Sequence, residues 1–564
     1  MAHLGTERDH CQMRAHGSCL YLVTSQIASN SRRSCQPYFG RHLISSTRPQ
    51  VVPLSSGTAY RLEVNQWKVR LSASFIAFVI ASTAIVAFGS TAVLQDPDTF
   101  WHIRTGQWIL QNATVPTVDV FSHTVYGRNW IANDWLADVI FATAFEIGRW
   151  RAVVEVTAIA IGTVTAITCF YLTHILRFSV AIGLTAITAL FISPHYLARP
   201  IIFAYPIMSI WLIILLERYD RDQSHGKPPL LLIPLMIFWA NISGSFTIGL
   251  VSLYIFASYA CYRHLVTHSF VQLGRELIFV LAVSASALIT PYGIRSTLIT
   301  LKALSMTFAL RHITEWRSPD FQVYRAHLVY LIGIVSVFVA YGVRLRGPRL
   351  PMFILMMYLG LSYLRGLIMF VLLVPLICAR SIAARAWYLR AQNSRTASED
   401  PVFQCLNNHV VAISATCFAL AIIATAVNWS LAEARPPGSV APQAAIDFVK
   451  QAKISGNVFN SYDFGGYLIF SGIPTAIDGR AQPFGDAFLR RFFRTINLDD
   501  VADAFRMLDE YNIEWAILRP TEALSGALST SSAWEKVYSD DHSVVFVRLR
   551  KLIESRSSTP NSSS

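Results

Sequence analysis

The sequence predicts a polytopic α-helical membrane protein that ends in a small α/β domain outside the bilayer. Three observations predict it. Of the 564 residues, 53% are hydrophobic and only 14% charged, with a mean hydropathy of +0.42, which is more apolar surface than a soluble chain of this length can bury. Long apolar runs recur from about residue 71 to 431, separated by short basic clusters. After residue 432 the composition shifts to the mixed polar pattern of a domain in water. The 47 Lys and Arg outnumber the 34 Asp and Glu, but they lie in the short clusters between apolar runs. That placement orients helices and meets anionic headgroups, so membrane lipid is an expected partner and nucleic acid is not. Eight cysteines are scattered without a C-x-x-C pair, which argues against a zinc site or a disulfide framework.

Residues 1–65 are rich in Ser, Arg and His and lack an apolar run of signal-peptide length; they read as a disordered cytoplasmic tail, with a transit peptide or an over-long start as alternatives. Residues 66–431 form the multi-span domain. Spanning a ~30 Å hydrocarbon core takes roughly 20 apolar residues, fewer in short or broken helices, and the runs at 71–94, 152–173, 178–194, 200–217, 229–242, 246–262, 276–294, 326–343, 351–363, 366–379 and 409–431 supply about 11 candidate spans. Arg61, Lys68 and Arg70, then Arg177, the 218–228 segment, Arg263 with Arg275, Arg344 to Arg349, and Arg380 to Arg395 fall in alternate loops. The positive-inside rule makes these cytoplasmic. The parity closes only if residues 136–148 form a juxtamembrane or re-entrant helix, with the N-terminus inside and the C-terminal domain outside.

This topology gathers the polar features on one outer face: loop 95–150, the turn around Arg199, the Trp239-Ala240-Asn241 turn, loop 295–325 and Arg365. Within the first loop, Asp96-Pro97-Asp98 places two carboxylates beside a membrane helix, where an acid is costly unless paired or solvated and therefore marks a functional candidate. His102 to Leu110 has amphipathic spacing and is expected to lie in the interface with Trp101 and Trp108. Asp134 opens the following helix, as a cap or as a second catalytic acid. Asp119 reads as a turn residue. Arg311 and Arg317 lie in loop 295–325, on the face that the positive-inside rule leaves poor in cations, near Glu315. With Arg199 and Arg365 they suggest a site for phosphate, which the arginine fork suits.

The stretch Asp96-Pro97-Asp98-Thr99-Phe100-Trp101-His102, continued by Trp130 to Leu136, resembles the first outer loop of the bacterial GT-C glycosyltransferases, which are integral membrane enzymes related to protein mannosyltransferases and aminoarabinose transferases. Arg199-Pro200, Trp239-Ala240-Asn241, Thr290-Pro291-Tyr292-Gly293, Ile313 to Trp316 and Arg365 extend it over most of 71–380. Ser243 and Thr290 depart from the family pattern. The resemblance implies a GT-C-like fold in the bacterial inner membrane and inverting transfer of a sugar from a polyprenyl-phosphate donor to a glycan, lipid or protein acceptor on the periplasmic side. It implies a catalytic acid at Asp98 or Asp96, with Asp134 or Asp119 as a second acid, and donor binding by Arg199, Arg311, Arg317, Arg365, Asn241 and Glu315. A divalent cation, Mg2+ or Mn2+, is an open expectation because Asp96-x-Asp98 offers two oxygens, which His102 would join.

After the Pro-rich linker 434–442, residues 432–550 predict helices over 440–452 and 499–511, a buried strand at 514–518 and a hairpin over 534–549; residues 551–564 read as a disordered tail. Asn457 to Tyr467, leading to Asp478-Gly479-Arg480, is loosely similar to the acceptor-holding element of oligosaccharyltransferases. It implies acceptor contacts at Tyr462, Asp463, Asp478 and Arg480, against the plainer expectation of a Gly-rich turn and an internal salt bridge. The alternative functions are a transporter or flippase, which would carry mid-span charges and inverted repeats, and a noncatalytic polysaccharide-assembly subunit.

Overall fold

In the computed structural model, residues 56–549 are described except 222–227, 304–305, 386–399 and 432–433; of the tails expected at 1–65 and 551–564, residues 1–55 and 551–564 lie outside the described residues, whereas 56–65 are helical. The helices follow the apolar runs in order: α1 (Ser56–Phe88), α2 (Asp98–Asn112), α3 (Trp135–Ile175), α4 (Phe178–Ile192), α5 (Ile201–Asp220), α6 (Leu232–Ile242), α7 (Phe246–Val266) and α8 (Phe270–Ser286). Short α9 (Ile294–Ala303) and α10 (Thr307–His312) precede α11 (Arg325–Tyr341), α12 (Arg349–Ser362), α13 (Leu364–Ala383) and α14 (Pro401–Leu431). Among the described residues, 6 helices are long and apolar enough to cross a membrane, and shorter apolar helices at 232–242, 325–341 and 349–362 stand among them. The chain is an integral membrane protein of the expected class. Exposed Leu277, Ile278 and Leu281 on α8 form a face that suits hydrocarbon and would be a liability in water.

α13 is the buried centre of the bundle, closed on nearly every side from Leu364 to Ala379. α3 is 41 residues long, about 60 Å at 1.5 Å per residue and twice the hydrocarbon thickness. It breaks at Gly148 and Arg149, where Arg149 adopts φ 53° and ψ −144°, a conformation that costs of order 1–3 kcal/mol for a residue with a side chain. The segment 135–147 is thereby separated from the long apolar run that follows, at the position where the sequence calls for a non-crossing piece. α2 departs from expectation: Ile103 and Ile109 are buried inside the protein, not in an interface, because α2 packs along the first part of α3 and against the C-terminal domain.

The two ends of α5 carry opposite kinds of chemistry. Its last turns hold ion pairs from Arg349 to Asp220 (2.5 Å), Arg380 to Glu217 (2.7 Å) and Asp220 (2.6 Å), and Arg218 to Glu276 (2.5 Å). Arg199 stands at the other end, 20 helical residues away, about 30 Å.

The C-terminal domain comprises α15 (Gln443–Gln451), β1 (Asn457–Asn460), α16 (Gly465–Phe470), α17 (Ala481–Asn497), α18 (Val501–Glu510), β2 (Ile513–Leu518), α19 (Ala523–Thr530), β3 (Trp534–Ser539) and β4 (Val544–Arg548). The sheet order is β1-β2-β4-β3, with β1 parallel to β2 and the other pairs antiparallel. Strand alternation splits the core in two: Val458, Trp515, Ile517, Val545 and Val547 pack on α15 and α16, while Phe459, Ala516, Leu518 and Phe546 pack on α17, α18 and α19.

The domain is bolted to the loop preceding α3. Fully buried Arg480 pairs with Asp119 and Asp478, each at 2.7 Å, and lies 4.5 Å over Trp130 and 5.1 Å over Phe121. Phe100 of α2 meets Tyr467 and Phe470 edge-on or tilted at 5.1 and 5.8 Å. Removing one member of a buried ion cluster leaves charges with neither partner nor water. Arg480→Leu is therefore expected to destabilise the fold by about 3–5 kcal/mol, read as a lowered unfolding midpoint of the detergent-purified protein followed by tryptophan fluorescence. An unchanged midpoint would show that the two acids do not depend on it.

Candidate active site

The site begins with a helix start. Asp96 accepts the Asp98 backbone N–H (2.9 Å), satisfying one of the donors that an α-helix leaves open, and Pro97 precedes the first turn of α2. Thr99 donates its hydroxyl to Ala198 O (2.9 Å), and Ala198 N donates to Val93 O (3.0 Å). These bonds draw the turn at Arg199 against the carboxylates. Arg199 Nη2 then donates to Asp96 Oδ1 at 2.7 Å and to Asp98 Oδ2 at 2.8 Å; its Nε meets the second oxygen of Asp96 and its Nη1 meets Glu315. Glu315 also pairs with Arg365, whose guanidinium lies 5.2 Å over the Trp316 ring. Leu364 N donates to Arg317 O (2.9 Å), fixing the 314–317 turn to the start of α13. Five residues expected to act together, Asp96, Asp98, Arg199, Glu315 and Arg365, thus form one ionic cluster.

Access divides the cluster. The Asp96 side chain is fully enclosed, whereas those of Asp98, Glu315 and Arg365 retain 16%, 21% and 38% of their exposure. Burial, then the neighbouring Glu315, push the Asp98 carboxyl up to about 6, against the lowering pull of His102, the Trp101 hydrogen bond and Arg365; Trp101 Nε1 donates to Asp98 Oδ1 at 3.0 Å. Asp134 is likewise raised to about 6 by burial. Its side chain makes no capping bond to α3; its Oδ1 accepts from Gly244 N at 3.1 Å. This corrects the capping expectation: the carboxylate holds the neighbouring turn in place of its own helix. His102 is lowered to about 4, chiefly by burial, and so is neutral near pH 7.

The donor set does not fit a Mg2+ or Mn2+ ion. Both oxygens of Asp96 and one of Asp98 are taken by Arg199, the other oxygen of Asp98 by Trp101, and His102 Nδ1 lies 2.5 Å from Asp138 Oδ1. A guanidinium occupies the position between the carboxylates where a cation would sit, and the described residues contain no group of three or more suitable ligands.

Other expected residues lie elsewhere. Arg311 and Arg317 are exposed and form no ion pair with the cluster. Asn241 spends its amide on Trp135 Nε1, Ile237 O and Ile289 O, each at 2.8 Å. It lines an apolar groove of about 380 Å³ with Trp135, Leu136, Pro234, Ile237, Phe238 and Ile289. Asp478 and Arg480 are closed inside the triad with Asp119, and Asp463 pairs with Arg519 at 2.7 Å. Burial locks Asp478 and Arg480 into the structure, whereas Tyr462 and Asp463 come within electrostatic reach of Arg199, and Tyr462 also of Asp98.

Two neighbours of the site escape sequence reasoning. Tyr205 on α5 faces Arg199 and Arg365, and nothing distinguishes it from the tyrosines of any apolar helix. Asp138 carries a readable signal, an acid within an otherwise apolar helical stretch. The C-terminal domain also touches the centre: a Cβ on Gly479 would collide with Asp98 Oδ1, and one on Gly466 with Pro97 O. Gly479→Ala is expected to force the domain away from α2, lowering the unfolding midpoint and any activity of the centre together; retention of both would show that the close approach is dispensable.

No known family model and no curated protein matches the chain. Solved structures similar to it include ArnT from Cupriavidus metallidurans bound to undecaprenyl phosphate, at 14% identity and a TM-score of 0.45, covering 83% of this chain and 97% of that one. The Archaeoglobus fulgidus oligosaccharyltransferase tethered to an acceptor peptide matches at 12% identity and a TM-score of 0.48, covering 80% and 69%. The oligosaccharyltransferase AglB from the same organism, with an inhibitory peptide and a dolichol-phosphate, matches at 10% and 0.42, covering 82% and 70%. Likeness at this level establishes neither a shared activity nor shared substrates.

Proposed function

We propose that the chain is an inverting membrane glycosyltransferase that moves a sugar from a polyprenyl-phosphate donor to a glycan, lipid or protein acceptor on the extracytoplasmic side of the bacterial inner membrane. The observation that carries this reading is the partly accessible Asp98 carboxylate held beside two guanidiniums at the end of the bundle opposite the Arg349 and Arg380 cluster. Asp98 takes the proton of the acceptor as its heteroatom attacks the anomeric carbon. The bond from that carbon to the carrier phosphate breaks on the other face, and Arg365, the more open of the two cations, receives the charge that develops on the phosphate. Arg199, already committed to three carboxylates, positions Asp98 and Glu315. The apolar groove beside Trp135 and Asn241 suits the first isoprene units of the carrier, and Tyr462 lines the acceptor side.

The reading is tested with the purified chain and a panel of polyprenyl-phosphate hexoses. Asp98→Asn is expected to lose about 10²-fold or more in turnover with its unfolding midpoint kept. Asp96→Asn is expected to lose activity and stability together, since Arg199 depends on both of its oxygens. Full activity in both variants would sink the proposal.

The pH profile carries a sign. Asp98 must be ionised to accept a proton, so turnover falls as the pH drops through about 6. Trp101→Phe removes a hydrogen bond that favours the ionised form and is expected to move this acid limb to higher pH; a limb that stays in place would detach it from Asp98.

A further inference from the structure

The segment that carries Glu315 into the candidate site is capped by a distant part of the chain. α10 is 6 residues long, and its own N-cap residue makes no side-chain bond to it. A helix this short is marginal alone, because its first turn costs more order than its hydrogen bonds return. The cap comes from the C-terminal domain. Asp486 Oδ2 accepts the Phe308 backbone N–H at 3.0 Å and Oδ1 accepts that of Ala309 at 3.2 Å. One carboxylate thus satisfies two of the four donors that a helix start leaves open, at the end where the helix dipole favours negative charge. Phe308 stacks on His312 at 3.8 Å and lies 6.1 Å from Phe493 of α17, with the Arg490 guanidinium 5.2 Å over its ring.

α17 meets two loops because it is broken. Gly485 adopts φ 77° and ψ 161°, a region essentially reserved for glycine. Before the break, Gln482 accepts from Ile131 N and donates to Asn129 O, each at 3.2 Å, on the loop before α3. After it, Asp486, Arg490 and Phe493 meet α10. From α10 the backbone register runs on to the acid: Ile313 N donates to Ala309 O (2.9 Å) and Trp316 N to Ile313 O (3.0 Å). The turn that contains Glu315 is therefore continuous with the capped helix.

We propose that Asp486 is a positioning residue of the candidate site, which holds Glu315 against Arg199 and Arg365 through α10 and so fixes how near that acid stands to Asp98. The role rests on the sugar-transfer reading. Asp98 is faced by Asp96 before α2, His102 on α2, Arg199 before α5, Glu315, Arg365 on α13 and Tyr462 of the C-terminal domain. Among these, Glu315 raises the Asp98 carboxyl by its like charge. When α10 loosens, that charge withdraws and the two guanidiniums are left less divided between the acids. Both changes favour ionised Asp98, so the acid limb of turnover moves to lower pH, the reverse of the shift expected for Trp101→Phe.

Three variants of the full chain in lipid nanodiscs decide this. Asp486→Ala removes the cap, Gly485→Ala keeps the carboxylate but strains the backbone that aims it, and Asp486→Asn removes the charge while keeping one acceptor oxygen. In hydrogen–deuterium exchange, peptides spanning 306–316 are expected to exchange about tenfold faster in Asp486→Ala and Gly485→Ala, and less so in Asp486→Asn. Unchanged exchange in Asp486→Ala would overturn the cap. In turnover of polyprenyl-phosphate hexoses, the acid limb is expected about one pH unit lower in Asp486→Ala and Gly485→Ala, with Asp486→Asn nearer to the wild type. Equal shifts in the two Asp486 variants with none in Gly485→Ala would mark a mere loss of charge. A lowered unfolding midpoint with the limb in place would mark a purely structural role, and either result overturns the proposal. If the wild-type chain transfers no sugar from any donor, the transfer reading fails and the positioning role with it, while the exchange result still decides the cap.

Discussion

The whole centre depends on one buried guanidinium serving three carboxylates. Arg199 joins the residues before α2, the turn before α5 and the segment before α13, three stretches that are far apart in the chain. Taking such charges out of water is tolerated only when each finds a partner, and here the partners are unequal in number. Asp96 is satisfied twice over, Glu315 borrows a second cation from Arg365, and Asp98 is left with one arm of the fork and an indole N–H. Burial, then the like charge of Glu315, raise the proton affinity of Asp98, and the cations present do not cancel that rise. A group poised near neutrality is what acid–base work requires, and it arises from an ion cluster with too few cations.

A second cluster, Asp119–Arg480–Asp478, has the opposite balance. Its arginine is matched bidentately by Asp478, paired with Asp119 and packed on two neighbouring aromatic rings. Both of its acids pair with Arg480, so it holds the C-terminal domain to the loop before α3. The same residue types serve as a fastener in one place and form the candidate site in the other.

Much of this was legible in the sequence because membrane chemistry leaves strong marks there. Apolar runs of spanning length located the helices, and the rarity of acids beside them drew attention to Asp96 and Asp98. The excess arginines of the outer face pointed to Arg199 and Arg365. What failed shares one cause: the sequence shows which residues are charged but not which will be enclosed with a partner. Arg311 and Arg317 looked equivalent to Arg365 and stayed at the surface. Asp478 and Arg480 admit either an acceptor contact or an internal salt bridge in the sequence, and the partner that closes them, Asp119, lies far away in the chain. Asp138 does not stand out from the 136–148 segment, because its partner His102 lies on a different helix and no local spacing joins them.

The fastening of the last domain to the first loop also sets a timetable. Arg480, Gly466 and Gly479 emerge from the ribosome long after Pro97, Asp98 and Asp119 have entered the bilayer region. Until the final strand of the sheet is in place, the loop that carries the carboxylates has no roof and Phe100 has no aromatic neighbours from the C-terminal domain. A half-made chain therefore holds the acids of the candidate site without the geometry that organises them, and that geometry is completed only when the C-terminal domain has folded onto the loop.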